Sequence, residues 1–138
     1  MAKETGLGWT GLLVDDATGT GQDIRNDVTN FSFATPKAVQ DVTGVDKYAM
    51  ERLLLLADFT LELNGVFNPA ANKSHAVMRT VPSTAIPRDV IIDVSGQRLP
   101  GNLLFTDYAL TRAASGELTW AAPGVLADGT LPTWTIIP

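Results

Sequence analysis

Residues 41–67, DVTGVDKYAMERLLLLADFTLELNGVF, constrain the fold more than any other part of the chain, because the periodicity changes inside them. Thr43-Gly44-Val45-Asp46 has the composition of a turn and is followed by helix formers, so a short helix is expected over about residues 46–55. Asp46 would accept hydrogen bonds from the free N–H groups near Tyr48 and Ala49, and its charge suits the positive end of the helix dipole. From Asp58 the period becomes two. Phe59, Leu61 and Leu63 alternate with Thr60, Glu62 and Asn64, which predicts a strand to Phe67 with one apolar and one wet face. Gly65 marks a backbone position that a Cβ would resist. The stretch holds no reactive group and reads as scaffold.

The remaining chain reads mostly as strands. Trp9–Val14 is expected as a first strand and 17–22 as a loop. Val28–Thr35 is a strand with Phe31 and Phe33 on one face, ended by Pro36, and Lys37–Val42 is extended. Asn72–Thr80 suits a second short helix, capped by Asn72 or Ser74. After a proline-containing loop at 81–88, Asp89–Val94 leads through Ser95-Gly96-Gln97 into a long, bent strand over 99–114. Ser115-Gly116 turns the chain into Glu117–Ala122. Asp128-Gly129 is the strongest hairpin signal and predicts a last strand over 130–137. Seven or eight strands and two short helices make one mainly β domain over 1–138, with a small, polar N-terminal arm at 1–8.

Composition then removes whole classes of function. Without cysteine, disulfides and thiolate chemistry are excluded. A net charge of −5, with ten basic residues scattered singly, argues against ordinary nucleic-acid binding but not against a surface that must avoid holding DNA. With 45% hydrophobic residues, either a well-filled β core or an oligomer interface is required, and both remain open at this stage. The start lacks a secretory apolar run, and the aliphatic block at 53–57 is far short of the ~20 residues of a membrane helix. A soluble, cytoplasmically made protein is expected.

No catalytic, cofactor or metal site can be assembled from the residues. His75 follows Ser74, but sequence neighbours on a helix point apart, so a partly exposed or capping histidine is the better reading. Asp15-Asp16 reads as a solvated turn, since no calcium-loop pattern surrounds it. Gly6-Leu7-Gly8-Trp9-Thr10-Gly11 matches a dinucleotide pattern without the preceding strand that gives it meaning. Trp9, Trp120 and Trp134 form a sugar platform on one reading and core or interface residues on the better one.

The order Asp41-Val42-Thr43-Gly44-Val45-Asp46, then Ala49, Arg52, Leu53-Leu54-Leu55, Ala57-Asp58 and Leu63-Asn64-Gly65-Val66-Phe67 resembles the tail tube proteins of long-tailed bacteriophages. The later Ala127-Asp128-Gly129-Thr130 fits the same pattern, whereas Leu54-Leu55-Leu56-Ala57 stands where that family has a glycine. The resemblance implies a β-sandwich or barrel with one or two flanking helices, assembling as stacked hexameric rings around a channel for genomic DNA. Asp58, Thr60 and Glu62 become lumen-facing candidates, and Phe59, Leu61 and Leu63 the strand's core face. Thr35, Pro36, Lys37 and Asp41 become candidates for an inter-ring loop, and 1–8 and 133–138 for arms. The implied partners are copies of the chain, a tape measure protein and a tail terminator. The implied location is the virion tail, assembled in the host bacterial cytoplasm, with no membrane. The alternatives are a tail terminator or head–tail joining ring, and a carbohydrate-binding β-sandwich.

Overall fold

Alternating apolar residues build the domain strand by strand. A computed structural model describes Lys3 and residues 7–137. The first strands are β1 (Trp9–Asp15), β2 (Gly21–Asp23) and β3 (Val28–Ala34), followed by β4 (Lys37–Asp41), β5 (Arg52–Ala57) and β6 (Thr60–Val66). After the short helix α1 (Ser74–Met78), the one helix among the described residues, come β7 (Arg88–Val94), β8 (Gln97–Phe105), β9 (Ala109–Arg112), β10 (Leu118–Leu126) and β11 (Thr135–Ile136). The main sheet runs β2-β1-β7-β8-β10-β6-β3, with β9 beside β10 and β11 beside β8. All its ladders are antiparallel.

The β8–β10 ladder is only three residue pairs long, Leu103 to Phe105 against Leu126 to Gly124. There the sheet folds over, so that residues of β1, β7 and β8 and residues of β6 and β10 meet in one core. Leu12, Val14, Val90, Ile92, Leu99 and Leu103 are buried from one side, and Phe59, Leu61, Leu63, Trp120 and Ala122 from the other. Ring contacts bridge the open side. Trp9 of β1 lies 4.3 Å from Phe31 of β3, and Phe31 stacks on Phe33.

α1 closes one end through Val77 and Met78, followed by Val81. Neither Asn72 nor Ser74 caps it. The cap position is Lys73, without a side-chain hydrogen bond, and Asn72 has a positive φ. Ser74 is instead buried, with its N–H donating to the Asp27 carboxylate at 3.0 Å. Asn68 Nδ2 donates to the same carboxylate at 2.9 Å, tying the β2–β3 connection to the start of α1. Below α1, buried Arg88 donates to the carbonyl oxygens of Val77 (2.7 Å) and Asp15 (3.0 Å) and to Thr80 Oγ1 (2.8 Å). Its guanidinium fork holds helix, loop and two strands at once.

Several expectations need correction. The helix expected over 46–55 does not form. Residues 42–51 are a loop and Arg52–Ala57 is β5, paired with β4 as a separate two-stranded sheet. Four consecutive leucines carry no helical stripe, and a short apolar run is equally compatible with a strand, so β4 pairing decides it. Asp46 therefore caps nothing. Thr43 closes the loop, with its hydroxyl accepting the Glu51 N–H at 2.8 Å while donating to Asp41 Oδ1 at 2.6 Å. The long strand over 99–114 divides into β8 and β9, which both lie on the same side of β10. Asp128-Gly129 does turn the chain, with Gly129 at φ 75° and Asp128 accepting the Thr130 N–H. It joins no hairpin, because Pro132 offers no N–H for a ladder, and only Thr135–Ile136 pairs, with β8. Gly65 has no positive φ; its reason is space, as a Cβ there would stand 2.2 Å from the Asp27 carbonyl oxygen. The turns at Ser95-Gly96 and Ser115-Gly116 form as expected, with positive φ at Ser95, Gly96 and Gly116.

Candidate functional site

One layer of the domain consists of β3, β6 and β10, with β9 continuing it. Register alone sorts its side chains. Phe31 opposes Leu63 and Phe33 opposes Leu61 on the inner face, while Asn30 opposes Asn64, Ser32 opposes Glu62 and Ala34 opposes Thr60 on the outer one. Across β6, Ala121, Pro123 and Val125 oppose Asn64, Glu62 and Thr60. Beyond β10, Thr111 and Ala109 oppose Thr119 and Ala121. The outer face is thus built of small or uncharged side chains, with Glu62 as the one charge among these positions. Thr60 is half-buried and Glu62 exposed, whereas Phe59, Leu61 and Leu63 are at most 2% exposed. Asp58 precedes the strand and is exposed, with its carboxylate accepting the Phe59 N–H at 2.8 Å.

Both sides of this layer end in an unpaired strand. Among the described residues, β3 pairs only with β6, and β9 only with β10. Unpaired backbone N–H and C=O groups along a strand recruit another strand unless something covers them.

The second feature is the arm formed by β4, β5 and their loop. β4 and β5 pair only with each other. From Thr35 to Leu56 every residue except Thr43 is exposed, including Leu54 at 67% and Leu56 at 92%. Of the residues expected in an inter-ring loop, Thr35 and Pro36 form the link from β3, and Lys37 and Asp41 are the two ends of β4. The segment is a ribbon rather than a loop. The Asp58 N–H, donating to the Pro36 carbonyl at 2.9 Å, ties its base.

Other expected features are dispersed. Trp120 is buried, with Nε1 donating to the Val66 carbonyl at 2.8 Å. Trp9 Nε1 donates to the Gly11 carbonyl at 3.0 Å, and half-exposed Trp134 lies 6.0 Å from Phe33. The three indoles share no common platform. His75 Nδ1 is 3.2 Å from the Tyr108 hydroxyl, with its ring against Phe67. Burial pushes the Tyr108 phenol pKa up. Asp16 forms the solvated turn expected of it, accepting bonds from Thr18 and Thr20, and these hold its carboxyl below the usual range. Among the described residues no cluster of His, Cys, Asp or Glu is arranged to hold a metal, and no helix is long and apolar enough to cross a membrane. Residues 133–137, expected as part of an arm, run through β11 along β8, and the Ile137 N–H donates to the Gly96 carbonyl at 2.9 Å. Most of the arm expected at 1–8, and Gly6 of the glycine pattern, lie outside the described residues.

No protein-family model and no curated protein matches the chain. Its fold, however, matches solved structures along nearly the whole chain. A chain from the virion of a native gene transfer agent particle superposes with a TM-score of 0.74 at 15% identity, covering 95% of this chain and 99% of that one. A chain from the tail of an empty gene transfer agent particle, with C6 symmetry, gives 0.71 at 17% identity, covering 99% and 100%. The fold is therefore that of chains found in virion and tail particles, mainly β and in a single domain.

Proposed function

We propose that this protein is a structural subunit of a phage-type tail tube, forming stacked hexameric rings around a DNA-conducting channel. The observation that carries this reading is the four-stranded layer, unpaired at both margins and nearly uncharged on its outer face. Pairing β9 of one copy with β3 of the next satisfies both margins, and ring closure then leaves no edge exposed. Similarity to a chain from a C6-symmetric tail supports six copies. Six four-stranded layers supply about 24 strands, and at ~4.8 Å per strand the wall is roughly 115 Å around and ~37 Å across before tilt widens it. That leaves room for a duplex inside the side chains.

In this arrangement the outer face lines the channel, with Thr60 and Glu62 in the lumen and Asp58 at its rim. The lining positions carry no Lys or Arg to pair with phosphates, and one ring of Glu62 carboxylates repels them over ~8 Å at physiological salt. DNA passes without sequence-specific contacts. The arm that begins at Thr35, Pro36 and Lys37 and passes Asp41 reaches neighbouring copies, and residues 1–8 serve as a further arm. A tape measure protein and a tail terminator are the other partners, and the assembled protein resides in the virion tail after assembly in a bacterial cytoplasm.

Electron microscopy of the purified protein tests the reading. Tubes or stacked rings with six-fold end views are expected. Rings that never stack would indicate a terminator or joining ring, and a stable monomer at high concentration would refute the proposal. Glu62→Lys should leave tube length unchanged and slow DNA release; unaltered release would remove Glu62 from the lumen.

A further inference from the structure

The arm is apolar on both faces. Directly opposed residues in an antiparallel pair share a face. Val39 opposes Leu54 and Asp41 opposes Arg52, so Val39 and Leu54 lie on one face. Gln40 opposes Leu53, which places Leu53 on the other, and Leu55 and Leu56 follow where the register shifts. The five side chains are 47–92% exposed. An isolated two-stranded ribbon is marginal in water, and one with leucines on both sides gains stability only when both sides are covered. The two faces point in opposite directions, so no single flat surface can cover both.

We propose that each arm is clasped between two different copies of this chain, one against Val39 and Leu54 and the other against Leu53. The inference rests on the tube reading for the presence of several neighbouring copies. Charge favours another copy as occupant. Lys37, Lys47 and Arg52 balance Asp41, Asp46 and Glu51, so the arm is neutral and the whole −5 of the chain resides on the body. A neutral ribbon docks on an acidic body without like-charge repulsion, whereas two bodies repel. The body also exposes apolar residues, notably Trp134 and Ile136. Such an arm joins three copies at one place, so weakening either face interrupts assembly.

The lack of native cysteine makes the test direct. Leu54→Cys, Leu53→Cys and the double variant are labelled with a photo-cross-linker and co-assembled with a large excess of unlabelled wild-type chain. Each single variant should give covalent dimers after illumination, and the double variant trimers. Dimers alone from the double variant, or no product from one single variant, overturn the inference while leaving tubes of wild-type protein, and the tube reading, intact. Trimers within rings that never stack would support the clasp and refute the tube. A wild-type chain that never assembles overturns both. Val39→Thr with Leu54→Thr, and Leu53→Thr alone, keep strand-compatible side chains, and each variant should abolish tubes while leaving the monomer's melting temperature unchanged. Normal tubes from either variant would overturn the clasp.

Discussion

Replacing Gly65 with alanine puts the packing logic of the β3–β6–β10 layer to a quantitative test. The added Cβ would stand 2.2 Å from the Asp27 carbonyl oxygen and 2.9 Å from two carbons of the Trp120 ring. An ordinary C···O approach is about 3.3 Å or more, so the backbone must yield by roughly 1 Å. Asp27 cannot move freely. Its carbonyl accepts the Val66 N–H at 2.9 Å, and its carboxylate is held by Asn68 and Ser74. Trp120 is held as well, through Nε1 and the Val66 carbonyl. Overpacking of this kind costs about 1–3 kcal/mol and a weakened backbone hydrogen bond about 1 kcal/mol more. Alanine recovers about 0.5–1 kcal/mol of chain entropy relative to glycine. The net expectation is a loss of about 2–3 kcal/mol, or roughly 8–12 °C in Tm for a domain of this size. Urea and thermal melts of dilute, unassembled protein measure it, with an unchanged denaturant slope marking a two-state comparison. A loss below about 0.5 kcal/mol would refute the reasoning, because it would show the layer yielding at almost no cost.

Gly116→Ala should cost about 1–2 kcal/mol by another route, because that glycine has a φ of 106° and open space around it, and the same melts separate the two causes. Arg88→Met should cost about 3 kcal/mol, since it leaves the Val77 and Asp15 carbonyls without their donor, and hydrogen exchange should show 77–88 opening first. Burial raises the pKa of Asp27, but bonds from Asn68, Ser74 and Asn26 more than offset it and leave the pKa below the ordinary carboxylate value. A depressed pKa stabilises the fold above the unfolded value of ~3.9 and ceases to do so as pH falls through the folded value. Asp27→Asn should therefore be less stable than wild type at pH 7, with the gap in Tm closing below about pH 4; a constant gap would contradict the assignment.

Period-two alternation of Phe59, Leu61 and Leu63 against Thr60, Glu62 and Asn64 determined the central strand and which of its faces is wet, because strand side chains alternate wherever the neighbours lie. Ser95-Gly96 and Ser115-Gly116 likewise determined two hairpins, since positive φ is a local demand. At Arg52–Ala57 the sequence alone was ambiguous. A run of leucines has no period, and only pairing with β4 made it a strand. Asp128-Gly129 turned the chain without making a hairpin, because Pro132 offers no N–H for a ladder and the strand that pairs further on, β11, lies against β8. The buried bonds of Arg88 and Asp27 had no sequence signal, since their partners are up to 73 and 47 residues away. Local chemistry decides period and turn. Which strand stands at an edge, which face meets another molecule, and where an uncovered ribbon projects depend on contacts between distant segments, and only the tertiary structure decided them.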